Sequence, residues 1–437
     1  MLRTTLLATV ATLSLAGSQL AAQQLAAGFS ATTSPLPAGT SNLLTTTTGH
    51  IYFDGFDLTH AVTGSPTQTL LTFGPYTFGS FTIPVGTTKV LFGESSNGGI
   101  WSVPLNGQAP RLIAIVPFNY DAVMLDNNRA LVSAKTGGFA APDNDVMFVD
   151  LITGQTQLLA QFLGASGPLS VDHDGDVYYA TAPASWPAPA GTVSVLRLTS
   201  TDIDNAIATG SVLGVANAQV VIAGLDAAGD LAFDDDGDLF FVDWFNNHIG
   251  EINDADGNNA TLTTTLIDYT GSGLNGSVLQ FTRTMTGPQV FEPFQPIAGQ
   301  LLVHETDYVN ISQIRTISAR RPELTSSAAN PIATGTFSLA IANGPANGIG
   351  LLVVAPTVVA GSLSIQVPGF EQPLLLDAAF SANPVLVPLS FDSTGATSLV
   401  IQNPGFAPVL NATAQTVCFS LGGTLGTSQP LPMQIGQ

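Results

Sequence analysis

Two ten-residue stretches of the chain, VDHDGDVYYA at 171–180 and FDDDGDLFFV at 233–242, match almost position by position. Each reads as a strand, a turn rich in Asp and Gly, and a second strand of aromatic and branched residues. The second strand recurs more faintly at Ile51, Val90, Ala130 and Leu301. With Val177 and Leu239 this makes six anchors, separated by 39, 40, 47, 62 and 62 residues. A third strand follows at 100–103, 146–149, 193–196, 249–252 and 314–317, and a fourth at 68–72, 111–115, 157–160 and 261–266. A lone four-stranded sheet cannot bury both of its faces. Successive sheets packed around an axis can. The expected fold is therefore all-β, a six-bladed β-propeller over about residues 28–320, with five or seven blades left open by the faint first unit.

The composition agrees, since 44 Gly and 28 Pro suit many short strands joined by tight turns. Ten Lys and Arg against 31 Asp and Glu give a net charge of −21, a surface that repels phosphate backbones and excludes nucleic acid as a partner. At the N-terminus Arg3 precedes an uncharged apolar run from Leu6 to Ala16 and then small residues around Leu20-Ala21-Ala22. That is the form of a secretory signal, expected to span residues 1–22. No later stretch has the ~20 apolar residues of a membrane span. The expected product is secreted or held at the cell surface, as a monomer. Cys418 is the only cysteine, so no intrachain disulfide can form.

The propeller is expected over residues 23–321, followed by a linker at 322–330 and a smaller C-terminal β-sandwich at 331–437. No Lys, Arg or His follows Arg321, and the acids from residue 331 onward are Glu371, Asp377 and Asp392. Apolar residues alternate at Val385, Val387, Leu389 and Phe391, and again at Val417, Phe419 and Leu421. The sequence DSTG at 392–395 is expected to form a hairpin turn.

The segment GDLAFDDDGDLFFVDWFNNHIGEI at 229–252 resembles an NHL-type propeller repeat and is similar to the gluconolactonase-like six-bladed propellers, which depend on calcium. The C-terminal part resembles the modules that end many exported bacterial proteins. What the first resemblance implies is a metal held by acids and an amide at the starts of inner strands. The corresponding positions here read Ser166-Gly167-Pro168, Tyr120-Asp121 and Gly229-Asp230-Leu231-Ala232. The family's ligands do not carry over, and Asp230 is out of step by one.

Other signatures are incomplete. No GxSxG elbow or phosphate-binding GxxxxGK loop occurs, and His304-Glu305 is not completed into a zinc-protease helix motif. The Asp-x-Asp-Gly segments at 172–176, 234–238 and 254–258 are expected to be turns that bond their own amides, because Gly falls at the wrong place for a helix-loop-helix calcium loop. Candidate functional residues then follow from position. Loops joining second to third strands share a rim with loops entering the inner strands, and rigidly held loops carry function. The rim candidates are Asp121, Asp243, Asn247, His304 and Glu305, with Glu305, Asp243 and Asp121 expected to meet around a cation, calcium being the candidate. Two functions compete. One is a binding scaffold for an extracellular protein, polysaccharide or small molecule. The other is a metal-dependent hydrolase, lactonase or lyase working at the rim.

Overall fold

The structure is a computed structural model. It describes residues 24–435 apart from 26–28, 47–48, 76, 139, 183–188, 235–236, 258–259, 282–299, 320–322, 329–331, 343, 345–346, 357–361, 366–373, 378–384, 394, 406–409, 420–424 and 429–430. The expected signal segment 1–22 lies outside the described residues.

Each sequence anchor falls in the second strand of an antiparallel sheet, five of them four-stranded and the fifth in order five-stranded. The first sheet runs Ser41–Thr46, Gly49–Phe53, Asp57–Val62, Gln68–Thr72, and the second Gly79–Val85, Lys89–Glu94, Gly99–Pro104, Arg111–Ile115. The third is Asn119–Asp126, Arg129–Ala134, Asp143–Asp150, Thr156–Leu163. The fourth is Leu169–Val171, Val177–Ala180, Val193–Leu198, Gln219–Leu225. In the fifth, Leu231–Phe233, Leu239–Asp243, His248–Asn253 and Thr261–Asp268 are joined at the outer edge by Gln24–Leu25. The sixth takes three strands from Asn275–Phe281, Leu301–Thr306 and Ser312–Ala319, and its fourth from the N-terminal segment Phe29–Pro35. The first strand of each sheet neighbours the first strand of the next, and the sixth returns to the first. The chain is a β-propeller.

Burial follows the same circuit. Each interface between successive sheets has its own apolar cluster, such as Leu44, Ile51 and Phe53 on Val90, Phe92 and Val103, or Tyr178 and Val195 on Leu231, Phe233 and Phe241. The seam between the sixth and first sheets is the smallest, holding Leu43, Tyr52, Leu302 and Ile314. A two-way amide bridge reinforces it: Gln280 Oε1 accepts the Thr45 N–H at 2.6 Å and Gln280 Nε2 donates to the Thr45 carbonyl at 2.7 Å. The N-terminal strand then registers along Ser312–Ala319 from Phe29↔Ala319 to Pro35↔Gln313.

The long step between the third and fourth anchors' successors contains a helix, Ser200–Thr209. Thr199 caps it by accepting the Asp202 N–H at 3.1 Å while its hydroxyl donates to the Asp202 carboxylate at 2.7 Å. Gly210 ends it in the left-handed conformation at φ 73°. Ile203 and Ala206 bury against the third sheet's Leu159.

Beyond the propeller, Glu323–Ser326, Gly335–Ala342 and Thr397–Asn403 form one sheet. Val385–Ser390, Ile349–Pro356, Leu410–Phe419 and Leu425–Thr427 form another, with Leu431–Ile435 also paired to Leu410–Phe419. Phe337, Leu339 and Ile341 of the first share one core with Leu352, Leu389, Ala414 and Cys418 of the second, an arrangement compatible with the expected sandwich. Burial pushes the Cys418 thiol up to about 12, so it stays protonated and inert. Two expectations change. Residues 323–326, expected within a linker, are a strand paired to Gly335–Ala342, because Leu324 buries into that core. The 392–395 turn forms, with Gly395 N–H donating to the Asp392 carbonyl, but its flanking strands belong to different sheets rather than to one hairpin. Gly344 N–H reaches across to the Gly395 carbonyl at 2.8 Å and holds the turn against another loop.

The seam sets a stability prediction. Leu302→Ala should cost about 2–4 kcal/mol by cavity formation, read from urea unfolding. Deleting residues 24–35 should lower the melting temperature more and expose the sixth sheet to proteases. An unchanged melting temperature in the deletion would contradict closure by that strand.

Candidate functional site

Acids at the ends of second strands fold back on their own turns. The Asp54 carboxylate accepts the Phe56 and Asp57 N–H groups at 3.0 and 2.8 Å. Asp243 accepts those of Phe245 and Asn246 at 3.0 and 2.9 Å, and Asp307 those of Val309, Asn310 and Ile311 at 2.7–2.9 Å. The local logic is the side-chain turn that Asp favours. Asn247 completes the Asp243 turn in the left-handed region at φ 55°, and its carbonyl accepts the Tyr269 N–H at 2.8 Å. On the other face the Asp-x-Asp-Gly segments behave likewise. Asp172 Oδ1 accepts the Asp174 and Asp176 N–H groups at 3.0 and 2.9 Å, and Asp234 Oδ1 that of Asp238 at 3.0 Å.

Asp121 and Asp230 are different. Both line a cavity of about 440 Å³ on the propeller axis, walled by the first strands of all six sheets. Asp121 Oδ1 accepts the Ala122 N–H at 2.8 Å, and Oδ2 reaches the next sheet to accept that of Leu169 at 2.7 Å. Asp230 repeats the geometry two sheets on, with Leu231 N–H at 2.9 Å and Leu279 N–H, in the sixth sheet, at 2.6 Å. Among the described residues neither carboxylate makes an ion pair. Burial raises Asp121 from 3.8 to about 6 against the pull of its two amide bonds. Asp230 stands well above the ordinary range, first through burial and then through the charge of Asp121. Tyr120 sits beside both, its hydroxyl donating to the Gly229 carbonyl at 2.8 Å, and Tyr308 also lines the cavity.

His304 lines the same cavity but is enclosed by two serines. Ser277 Oγ lies 2.7 Å from Nδ1 and Ser312 Oγ 2.8 Å from Nε2. Burial pulls the imidazole down to about 4, so it is neutral at physiological pH. Ser277 itself faces the cavity.

The expected trio of Glu305, Asp243 and Asp121 is not assembled. Glu305 is fully buried and neutralised by Arg315, while Gln313 Nε2 donates to it at 2.6 Å and the Tyr269 hydroxyl at 2.9 Å. Asp243 is taken up by its turn and by Asn246 Nδ2 at 2.9 Å. Among the described residues no three His, Cys, Asp or Glu side chains gather around one point. Calcium requires about six to eight oxygens, and the axial pair already accepts a backbone N–H at each of its four oxygens. The donor set does not fit that ion. Of the sequence candidates, the cavity gathers Asp121 and His304 and excludes Asp243, Asn247 and Glu305. It adds Asp230, which the sequence flagged only as one step out of register.

No family model and no curated protein matches the chain. Among solved structures it is similar to virginiamycin B lyase from Staphylococcus aureus, at 8% identity over 66% of this chain and 99% of that one with a TM-score of 0.41. A gluconolactonase from Xanthomonas campestris aligns at 11% identity over 67% and 87%, with a TM-score of 0.40. A Bacteroides thetaiotaomicron protein of unknown function aligns at 10% over 66% and 76%, with a TM-score of 0.43. These likenesses carry no argument about chemistry, and the architecture rests on the sheet circuit itself.

A carboxyl whose pKa in the folded chain exceeds its unfolded value costs nothing below the unfolded value; its cost grows between the two values and is constant above the folded one. An asparagine side chain has one acceptor oxygen for the two N–H groups that the Asp121 carboxylate holds, so Asp121→Asn carries a cost that does not vary with pH. The stability of the variant relative to the parent should rise between about pH 4 and about pH 6 and level off above. Denaturant melts across pH check the sign; a difference that is flat with pH, or that falls, would contradict it.

Proposed function

We propose that this chain is an exported binding propeller that captures a small, positively charged ligand in its axial cavity at the cell surface or in the medium. The observation that carries this reading is the Asp121–Asp230 pair, two carboxylates facing one cavity without a cation among the described residues. A pocket of this size lined by apolar strand residues and a few convergent polar groups suits a small molecule. The fixed amide bonds from Leu169 and Leu279 hold both carboxylates in place before a ligand arrives, so little ordering is needed on binding. The C-terminal sheets serve retention or display. A thermal-shift screen of cationic, neutral and anionic small molecules tests the charge. Cations should raise the melting temperature by mass action, and Asp230→Asn should abolish that rise. Stabilisation by anions alone would overturn the reading.

A hydrolytic reading has one observation in its favour, the 2.7 Å contact between Ser277 Oγ and the neutral His304 ring at the cavity wall. It requires ester hydrolysis that Ser277→Ala and His304→Gln both remove. Activity surviving Ser277→Ala would exclude Ser277 as the nucleophile.

A further inference from the structure

The mouth of the axial cavity joins the two carboxylates to two tyrosines. Tyr120, 38% exposed as a residue, is held by its hydroxyl bond to Gly229. Tyr308 is 67% exposed and sits in the left-handed region at φ 61°, a conformation a bulky residue adopts only when its surroundings impose it. Here the imposing group is the Asp307 carboxylate, which gathers the N–H groups of residues 309–311, with the Thr306 hydroxyl accepting the Tyr308 N–H at 2.8 Å. The backbone of an exposed tyrosine is thus fixed beside the cavity.

The kind of cation follows from what the carboxylates still offer. Their four oxygens already accept backbone N–H groups, so what remains uncompensated is charge more than hydrogen-bonding capacity. A cation that binds by charge and ring contact suits this better than one that must donate several N–H bonds or collect many oxygens. Aromatic faces attract such ions, with quaternary ammonium groups as the clearest case. Resting on the axial-cavity reading, we infer that the ligand is an alkylated organic ammonium ion. Its charge lies between Asp121 and Asp230, and its alkyl groups lie against Tyr120 and Tyr308.

Isothermal titration of the mature chain with choline, with its neutral isostere 3,3-dimethylbutan-1-ol and with calcium chloride tests this. Choline should bind at least tenfold more tightly than the neutral alcohol. Asp121→Asn and Asp230→Asn should each weaken choline at least tenfold, and Tyr308→Ala about fivefold. Among the described residues the Tyr308 hydroxyl makes no hydrogen bond, so that variant should keep the wild-type melting temperature. Equal binding of choline and the alcohol, or binding of calcium without choline, would overturn the ammonium assignment and leave the cavity as a ligand site. If none of the three binds and the wider charged and neutral panel also fails, the cavity reading falls with it.

Discussion

Every sheet in the propeller depends on its neighbours to cover its two apolar faces, so the ring must close. That requirement falls hardest on the junction of the sixth and first sheets, where the buried cluster is smallest. The chain closes it by bringing its N-terminal segment back to the outer edge of the sixth sheet and by locking Gln280 to the backbone of Thr45. Closure also fixes the axis. Once six inner strands converge, the residues at their entrances face one another, and side chains there can tie one blade to the next.

Asp121 and Asp230 do both. Each carboxylate bonds an amide of the following inner strand, a contribution to ring cohesion, while facing a cavity in which its charge is poorly solvated. Other acids on that face resolve their electrostatics locally: Asp54, Asp243 and Asp307 in turns, and Glu305 against Arg315. Among the described residues the axial pair keeps its charge unmatched by a cationic side chain. Interactions that hold the fold thus preorganise a site at the expense of some stability, and the cost is recovered when a cation binds.

Much of this architecture was legible because second strands carry the densest aromatic and branched residues, as at Val177–Ala180 and Leu239–Asp243. Their fully buried position between two sheets gives them a continuous apolar run. The inner strands Leu169–Val171 and Leu231–Phe233 are three residues long, too short for a periodicity signal. The closing strand Phe29–Pro35 is rich in Ser and Thr and pairs with residues almost three hundred positions away, which no local pattern reveals. The helix Ser200–Thr209 did leave a trace, the Thr199-x-x-Asp202 capping pattern after a strand. For the site, position on the rim picked out Asp121 and His304, which line the cavity. It could not separate Asp243, whose turn-forming role depends on which amides its carboxylate meets, from Asp230, whose partner lies in another blade.

Two carboxylates on the axis, without an ion-pair partner among the described residues, await a cation. Site-resolved carboxyl titrations by NMR, assigned with the Asp121→Asn and Asp230→Asn variants, measure this directly. In the free protein both groups should titrate above the ordinary aspartate range, Asp121 near 6, and both should fall when choline saturates the cavity. Ordinary values in the free protein, unmoved by any cation, would contradict it.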